Sequence, residues 1–232
     1  MTETKTYRDG AVAPGRLVLL RHGQTAWSES GQHTGRTDIP LTGEGERQAE
    51  AAGDRLRAAY PGGFDAAHVF VSPLRRAQQT ADLAGFPDHR TVADLAEWDY
   101  GRAEGRTRGT VKQASGFDWE LWQDGPRSLP EHLEGDWTET LPSGEQVPVH
   151  AGAGESVEDV AARARRVIAL VDPLLDAGED VLLVAHAHVL RILTSQWLDL
   201  EPRFGRLLRL DTARYSVLGR YKGDNVIVHW NL

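Results

Sequence analysis

The chain has 232 residues, of which 40% are hydrophobic, with no cysteine and a formal net charge of -8 at pH 7. This composition suits one well-buried domain, excludes disulfides and thiolate chemistry, and argues against general nucleic-acid binding. Residues 1–16 are polar and lack the apolar core of a signal peptide, and no apolar run reaches membrane-spanning length, so a cytoplasmic protein with no membrane partner is expected.

The first part of the chain alternates short apolar strands with amphipathic helices. Thr42 is the N-cap candidate of the first helix, Pro73 suits the first turn of the second helix, and Gly85 suits its C-terminal end. The predicted elements are a strand over 16–20, a helix over 41–60, a strand over 68–72, a helix over 73–85 and a third strand over 91–98.

The second part continues this alternation and closes with a hairpin. Ser156 and Asp159 form a capping pattern at the start of a long helix, which Pro173 should bend or break and Gly178 should end. The predicted elements are a helix over 156–178, a strand over 181–184, a helix over 188–198 and two paired strands over 212–221 and 225–231.

This alternation predicts an α/β fold with a mostly parallel central sheet that is flanked by helices on both faces. We expect residues 1–232 to form a single domain. Residues 98–154 interrupt the alternation with many Gly, Pro and Trp residues, and we expect a helical and loop insertion there that covers the functional site.

Side chains suited to phosphate chemistry follow the ends of the predicted strands. Arg21 and His22 follow the first strand, Arg76 lies just after the second, Glu97 after the third, and His186 after the fourth. Ligands of open α/β sheets bind at the carboxyl ends of the strands. Arginine matches phosphate oxygens, an imidazole can attack phosphorus, and a carboxyl group can protonate a leaving oxygen. The sequence therefore predicts phosphoryl transfer.

Several motifs, in order along nearly the whole chain, resemble those of the histidine phosphatase superfamily, also called phosphoglycerate mutase-like. They are LVLLRHGQTAW, TGRTDIPLTGEGERQA, SPLRRAQQTA, LAEWDYGRAEG, GESVEDVAARA and VLLVAHAHVLRIL. The resemblance implies a phosphohistidine mechanism that uses no cofactor and no metal. It also implies a small phosphorylated substrate.

The resemblance assigns roles residue by residue. His22 resembles the nucleophile, Arg21, Arg76 and His186 the phosphate pocket, and Glu97 the proton donor. Substrate-contacting positions correspond to Thr34, Gly35 and Arg36, and to two departures from the family pattern: Ser28, where the family often has Asn, and Ala187, where it usually has Gly. Arg75 is interpreted as an exposed helix charge.

Within the family, LAEWDYGRAEG and the His-x-His after the fourth strand resemble the phosphatase branch, which includes broad acid phosphatases and sugar-bisphosphate phosphatases. A cofactor-dependent phosphoglycerate mutase is the alternative. The basic residues of the insertion could contact a second phosphate, although each is more simply a solvated charge. They are Arg102, Arg106, Arg108, Lys112 and Arg127.

Other interpretations remain open at this point. His186 and His188 could begin a metal-hydrolase site, although Leu190 and Arg191 stand where further ligands would be needed. Otherwise, His188 is expected to orient the surroundings of His186 or to pack against its helix. The chain could also be a non-catalytic phospholigand-binding protein, and it could form a homodimer.

The expectations for two further positions are more detailed. Glu97 could simply pair with Arg102 or Arg106, but as a general acid it needs a pKa raised by burial, beneath Trp98, or by the incoming phosphate. Gly23 should leave room for the backbone to approach an anion. Two tryptophans at helical spacing are interpreted as packing for the insertion: Trp119 and Trp122.

Overall fold

The computed structural model describes residues 13–232, so most of the stretch that lacks a signal-peptide core lies outside the described residues. The chain forms a six-stranded sheet and a separate two-stranded hairpin. The strands are β1 (Leu17–Arg21), β2 (Val69–Val71), β3 (Arg90–Thr91), β4 (Gly135–Thr140), β5 (Gln146–Ala151), β6 (Val181–Ala185), β7 (Tyr215–Tyr221) and β8 (Asp224–His229).

The large sheet has the order β3-β2-β6-β1-β7-β8. Its first four strands are parallel, and β7 and β8 add an antiparallel edge. Leu20 of β1 lies beside Val184 of β6, so the residues that follow the two strands emerge at the same edge of the sheet. This register brings His22 and His186 together.

Helices cover both faces of the sheet. They are α1 (Ala26–Ser30), α2 (Gly43–Ala59), α3 (Arg75–Leu83), α4 (Arg108–Ser115), α5 (Leu121–Asp124), α6 (Val157–Asp176) and α7 (Ala187–Trp197), with short 3-10 turns between them. In the part of the chain that is described, no helix has both the length and the apolar character needed to cross a bilayer.

The alternation of side chains along β1 divides the core into two layers. Leu17 and Leu19 pack with α6, α7 and the 98–154 segment, while Val18 and Leu20 pack with α2 and α3. All four side chains are fully buried, as expected for parallel strands that are covered on both faces. The predicted fold class is confirmed.

Three sequence-based expectations about individual elements need correction. The third strand contains only Arg90–Thr91, and residues 93–95 form a 3-10 turn that leads to Glu97. Helix α6 is not broken at Pro173 and continues to Asp176, with Val171 and Leu175 buried on either side of the proline. Within 98–154, β4 and β5 pair as an antiparallel hairpin that the helix-and-loop expectation omitted.

Gly23 is required by a close approach of two backbone segments, and its expected role at an anion stays a prediction. A Cβ atom built on Gly23 would lie 2.3 Å from the carbonyl oxygen of Gly45, in the first turn of α2. Conversely, a Cβ atom on Gly45 would lie 2.0 Å from the carbonyl oxygen of Gln24. Neither oxygen can move freely, so this glycine pair sets how closely α2 approaches the residues after β1.

We predict that Gly45→Ala destabilises the protein by about 1–3 kcal/mol because the new methyl group collides with backbone. Gly43→Ala, in the same helix turn, is the matched control, because only the flexible end of Arg47 lies within 4 Å of its added methyl group. In that variant the ordinary helix preference for alanine should leave stability unchanged or raise it by up to about 1 kcal/mol. Urea denaturation measures both effects, and equal midpoints for the two variants would contradict the prediction.

Candidate active site

A cavity of about 240 Å³ opens at the carboxyl ends of β1 and β6. Candidate reactive groups form one part of its wall, and aromatic and uncharged polar side chains form much of the rest. The lining residues are Arg21, His22, Trp27, Ser28, Gly31, Gln32, His33, Thr34, Glu97, Tyr100, Ala187 and His188.

His22 is held with one ring nitrogen fixed. Its Nδ1 lies 2.7 Å from the carbonyl oxygen of Gly23, and because a carbonyl only accepts, Nδ1 carries the proton. Burial and the positive charges of Arg76 and Arg21 lower the pKa of His22 well below its usual value. The ring is therefore neutral at pH 7, and Nε2 keeps its lone pair.

His186 and Arg76 lie directly behind His22, and the two histidine ring centroids are 5.1 Å apart. The Nε of Arg76 donates to Nδ1 of His186 at 3.1 Å, so the proton of the neutral imidazole is on Nε2, which donates to the Ser72 hydroxyl at 2.7 Å. Burial and the Arg76 charge lower the pKa of His186 well below its usual value. Both side chains are fully buried and neither lines the cavity.

Glu97 lies at the N-terminus of α7. Its carboxylate accepts hydrogen bonds from the backbone N–H groups of Trp98, His188 and Val189 at 2.9–3.1 Å. Burial would raise the pKa of Glu97, but the His188 imidazole and the hydrogen bond from the Trp98 N–H outweigh it and lower that pKa well below its usual value. The free protein therefore carries an ionised Glu97, so burial does not raise its pKa as the first expected cause required, and the second cause, the incoming phosphate, stays a prediction.

The backbone beneath Glu97 is clamped by a buried arginine of α6. The guanidinium of Arg163 donates to the carbonyl oxygens of Asp94, Ala96 and Glu97 and also pairs with the carboxylate of Glu155. Arg163 belongs to the GESVEDVAARA motif, and its contacts fix the backbone segment that follows β3. The alternative partners proposed for Glu97 are wrong, because Arg102 pairs with Glu134 and Arg106 donates to the Arg102 carbonyl.

Arg21 supplies positive charge to the cavity wall. Its Nη1 donates to the carbonyl oxygen of Leu210 at 2.7 Å, which anchors the guanidinium. Among residues 13–232, its buried Nε has no hydrogen-bond partner. This unpaired N–H group beside His22 is suited to donate a hydrogen bond to an anionic oxygen.

The loop over residues 34–37 is held from two sides. Arg76 donates to the carbonyl oxygens of Thr34, Gly35 and Thr37, and Glu104 accepts from the N–H groups of Gly35 and Thr37. Burial raises the pKa of Glu104 to about 7 despite these N–H donors. The loop thus keeps the Arg76 guanidinium fixed behind His22.

The predicted substrate-contacting residues divide into two groups. Ser28, Thr34 and Ala187 line the cavity. Gly35 lies behind it, where its N–H contacts Glu104, and the partly exposed Arg36 pairs with Glu155 at 3.2 Å. The helix charge of Arg75 is 44% exposed, as interpreted, and pairs with Glu145.

His186 and His188 face different surroundings, so they do not form a paired metal site. His186 contacts Ser72 and Arg76, whereas Nδ1 of His188 lies 2.6 Å from the Tyr100 hydroxyl. Within the described residues no cluster of three or more His, Asp or Glu side chains is arranged to hold a metal ion. His188 lies beside Glu97 and Tyr100 and has no hydrogen bond to His186, so its expected role in orienting the surroundings of His186 stays a prediction.

Comparison with known proteins agrees with this geometry. The family model described as histidine phosphatase superfamily (branch 1) matches residues 17–232. The chain belongs to this superfamily. A protein named acid phosphatase from Mycobacterium tuberculosis is 36% identical over 204 residues, covering 88% of this chain and 86% of the relative.

Two further proteins, one known by its sequence and one by its solved structure, are similar to this chain over most of its length. A protein named sedoheptulose 1,7-bisphosphatase from Saccharomyces cerevisiae is 31% identical over 209 residues, and the match covers 80% of this chain and 68% of the yeast protein. A solved structure of an open reading frame product from Mycobacterium tuberculosis has a TM-score of 0.76 at 34% identity. It covers 94% of this chain and 97% of that chain.

Several residues of this histidine phosphatase site were missed by sequence reasoning. His33 lies beside Tyr100 and Trp119 with ring-centroid distances of 5.2 and 5.4 Å, and it lines the cavity with Tyr100. Glu104 gave no signal, because a Glu in a glycine-rich loop is most simply a solvated charge. The packing interpretation of Trp119 and Trp122 is confirmed by their burial in the core.

We predict that Glu104 makes stability fall as pH rises. Its pKa is raised on folding from about 4.5 to about 7, so its stabilising effect is complete below about pH 4.5 and is lost as pH rises through 7. In Glu104→Gln this loss is absent, so the free energy of unfolding of the wild type relative to the variant should fall by about 3 kcal/mol between about pH 5 and 8. Urea titrations across this range measure it.

Glu50→Gln, on the exposed side of α2, is the matched control for loss of one carboxylate. Its free energy of unfolding should follow the wild-type pH dependence. Parallel curves for wild type and Glu104→Gln would show that Glu104 is already ionised throughout this range.

Proposed function

We propose that this protein is a phosphomonoesterase that hydrolyses small phosphorylated metabolites through a phosphohistidine at His22. The observation that carries the proposal is the fixed tautomer of His22. Nδ1 donates to the Gly23 carbonyl, so the neutral ring presents the Nε2 lone pair in a cavity that Arg21 makes positive. A nucleophile of this kind needs no activating base.

The first step transfers the phosphoryl group to the enzyme. Nε2 of His22 attacks phosphorus, the bond between phosphorus and the ester oxygen breaks, and that oxygen takes a proton and leaves as an alcohol. The unpaired Nε of Arg21 supports one non-bridging oxygen. Behind His22, Arg76 provides positive charge and the neutral His186 ring provides a dipole. Direct contact of either side chain with the phosphate is a prediction.

In the second step, water attacks phosphorus and the phosphorus–nitrogen bond breaks, which returns the electron pair to Nε2 of His22. One proton of the water goes to Glu97, which passes it to the departing phosphate and so returns to its ionised form, and the other proton of the water stays on that phosphate. Positive charge from Arg21 and Arg76 stabilises the phosphoryl group in both steps, because the site is buried and charges interact strongly there. This chemistry uses no metal and no cofactor.

Glu97 handles the proton of the leaving group in this proposal. Because the free carboxylate is ionised, it gains a proton only when the substrate arrives, and a phosphate monoester has a second pKa of about 6. The substrate monoanion therefore brings the proton that Glu97 passes to the leaving oxygen. This requirement favours reaction at acidic pH.

The mutase alternative finds less support in the wall of the cavity. A mutase must hold a second phosphate while the first is on the enzyme, yet four of the five insertion cations are engaged elsewhere. Arg102 pairs with Glu134, Arg106 lies over Trp137, Lys112 pairs with Asp118 and Arg127 pairs with Asp159. Hydrolysis is therefore the proposed reaction.

We expect rapid-quench experiments with ³²P-labelled substrate to trap an acid-labile, base-stable phosphoenzyme in the wild type. His22→Ala should form none and should lose activity by roughly 10³-fold or more, because the nucleophile is gone. His150→Ala is the matched control, since His150 is 79% exposed on β5. Label retained by His22→Ala would place the nucleophile on another residue.

Glu97→Gln should act differently on two kinds of leaving group. An alkoxide needs a proton, so sugar-phosphate hydrolysis should slow by roughly 10²- to 10⁴-fold, whereas 4-nitrophenyl phosphate, with a stable leaving anion, should lose much less. The fall in rate above about pH 6 should also flatten with the sugar phosphate. The two substrates are each other's control for misfolding, and equal losses on both would assign Glu97 a structural role instead.

A further inference from the structure

Beyond the reacting groups, the cavity wall is built from rings and uncharged polar groups. Trp27, His33, Tyr100 and His188 contribute the rings, and Ser28, Gln32 and Thr34 contribute hydroxyl and amide groups. In the part of this wall formed by residues 13–232, Arg21 is the only side chain with a permanent positive charge. That charge lies beside His22, where the transferred phosphate must bind.

The two wall histidines are neutral. Burial lowers the pKa of His33 and of His188. Nδ1 of His33 donates to the Arg106 carbonyl at 2.7 Å, so Nε2 is left as an acceptor, which suits a hydroxyl group and opposes an anion. Burial also raises the pKa of Tyr100 well above its usual value, so its phenol stays uncharged beside His188.

Arg191, a basic residue near the cavity, already has partners within the protein. Arg191 lies over Trp122 and donates to the carbonyl oxygens of Gly205 and Arg206. Of the five basic residues of the insertion, this leaves Arg108, which is exposed at the start of α4 and contributes through its charge to lowering the pKa of His33. A second anionic group on the substrate would lie against neutral rings, and leaving a charge without a partner there is costly.

The enclosed volume of the cavity also favours a compact substrate. At about 240 Å³, it is smaller than the roughly 300–1,000 Å³ of sites that enclose drug-sized ligands. A compact ester fits, with its phosphate at Arg21 and its remaining groups against the Tyr100 and His33 rings.

From this wall we infer that the site selects compact monophosphate esters whose leaving group is uncharged and carries hydroxyl or aromatic groups, and that it discriminates against esters with a second phosphate or a carboxylate. The inference rests on the proposed phosphatase function. It gives His33, Tyr100 and His188 the role of specificity-determining residues for that reaction.

Two isosteric pairs of substrates test this selectivity. Glycerol 3-phosphate and 3-phosphoglycerate differ by a CH₂OH in place of a carboxylate, and 4-carbamoylphenyl phosphate and 4-carboxyphenyl phosphate differ by an amide in place of a carboxylate. We expect kcat/KM to be roughly 10-fold or more higher for the uncharged member of each pair. Equal or reversed ratios in both pairs would overturn the inference.

A substitution of Arg108 separates this inference from the alternative that Arg108 binds a second anionic group of the substrate. Arg108→Gln should change neither ratio by more than about 2-fold, because no selected substrate needs that charge. If the charged members are instead preferred, and Arg108→Gln abolishes that preference, Arg108 binds a second anion and the inference is wrong.

The proposed function is tested separately by 4-nitrophenyl phosphate. Release of 4-nitrophenolate from this substrate by the wild type and not by His22→Ala would support the phosphatase, whatever the selectivity ratios are. Absence of release from every substrate would reject the phosphatase itself, whereas release with ratios near one would reject only the selectivity.

Discussion

The parallel pairing of β1 with β6 is the constraint on which the site depends. Hydrogen bonding fixes the register residue by residue from Leu17 to Arg21, and burial on both faces prevents a slip, because a shift by one residue would exchange the two core layers. His22 and His186 are therefore delivered to one edge by the sheet itself. Loops then need only to add charge around them.

The charges at that edge are kept in place by backbone groups rather than by ion pairs. Arg76 is satisfied by three loop carbonyls and His186, and Glu97 by three N–H groups, two of them at the start of α7. Buried charges are tolerated when their hydrogen-bonding capacity is filled. Arginine and carboxylate can therefore lie near His22 without neutralising each other in direct contact.

The same arrangement divides the site into two zones. Near His22, positive charge and fixed donors favour a phosphoryl group. Farther out, Tyr100, His33 and His188 hold one another in a neutral aromatic wall, since burial keeps their charged forms unfavourable. In the proposed function, reaction and selectivity thus come from different side chains.

The sequence by itself determined the fold class and predicted the candidate reactive residues at the strand ends, because apolar runs and the residues after them are local patterns. It also located the start of α6, where Ser156 and Asp159 form the capping box. Only the tertiary structure decided the hydrogen bonding of Glu97, the engagement of Arg76 with the 34–37 loop, and the positions of Glu104 and His33. These properties depend on burial and on partners as distant in sequence as Glu97 and Val189, which local patterns do not encode.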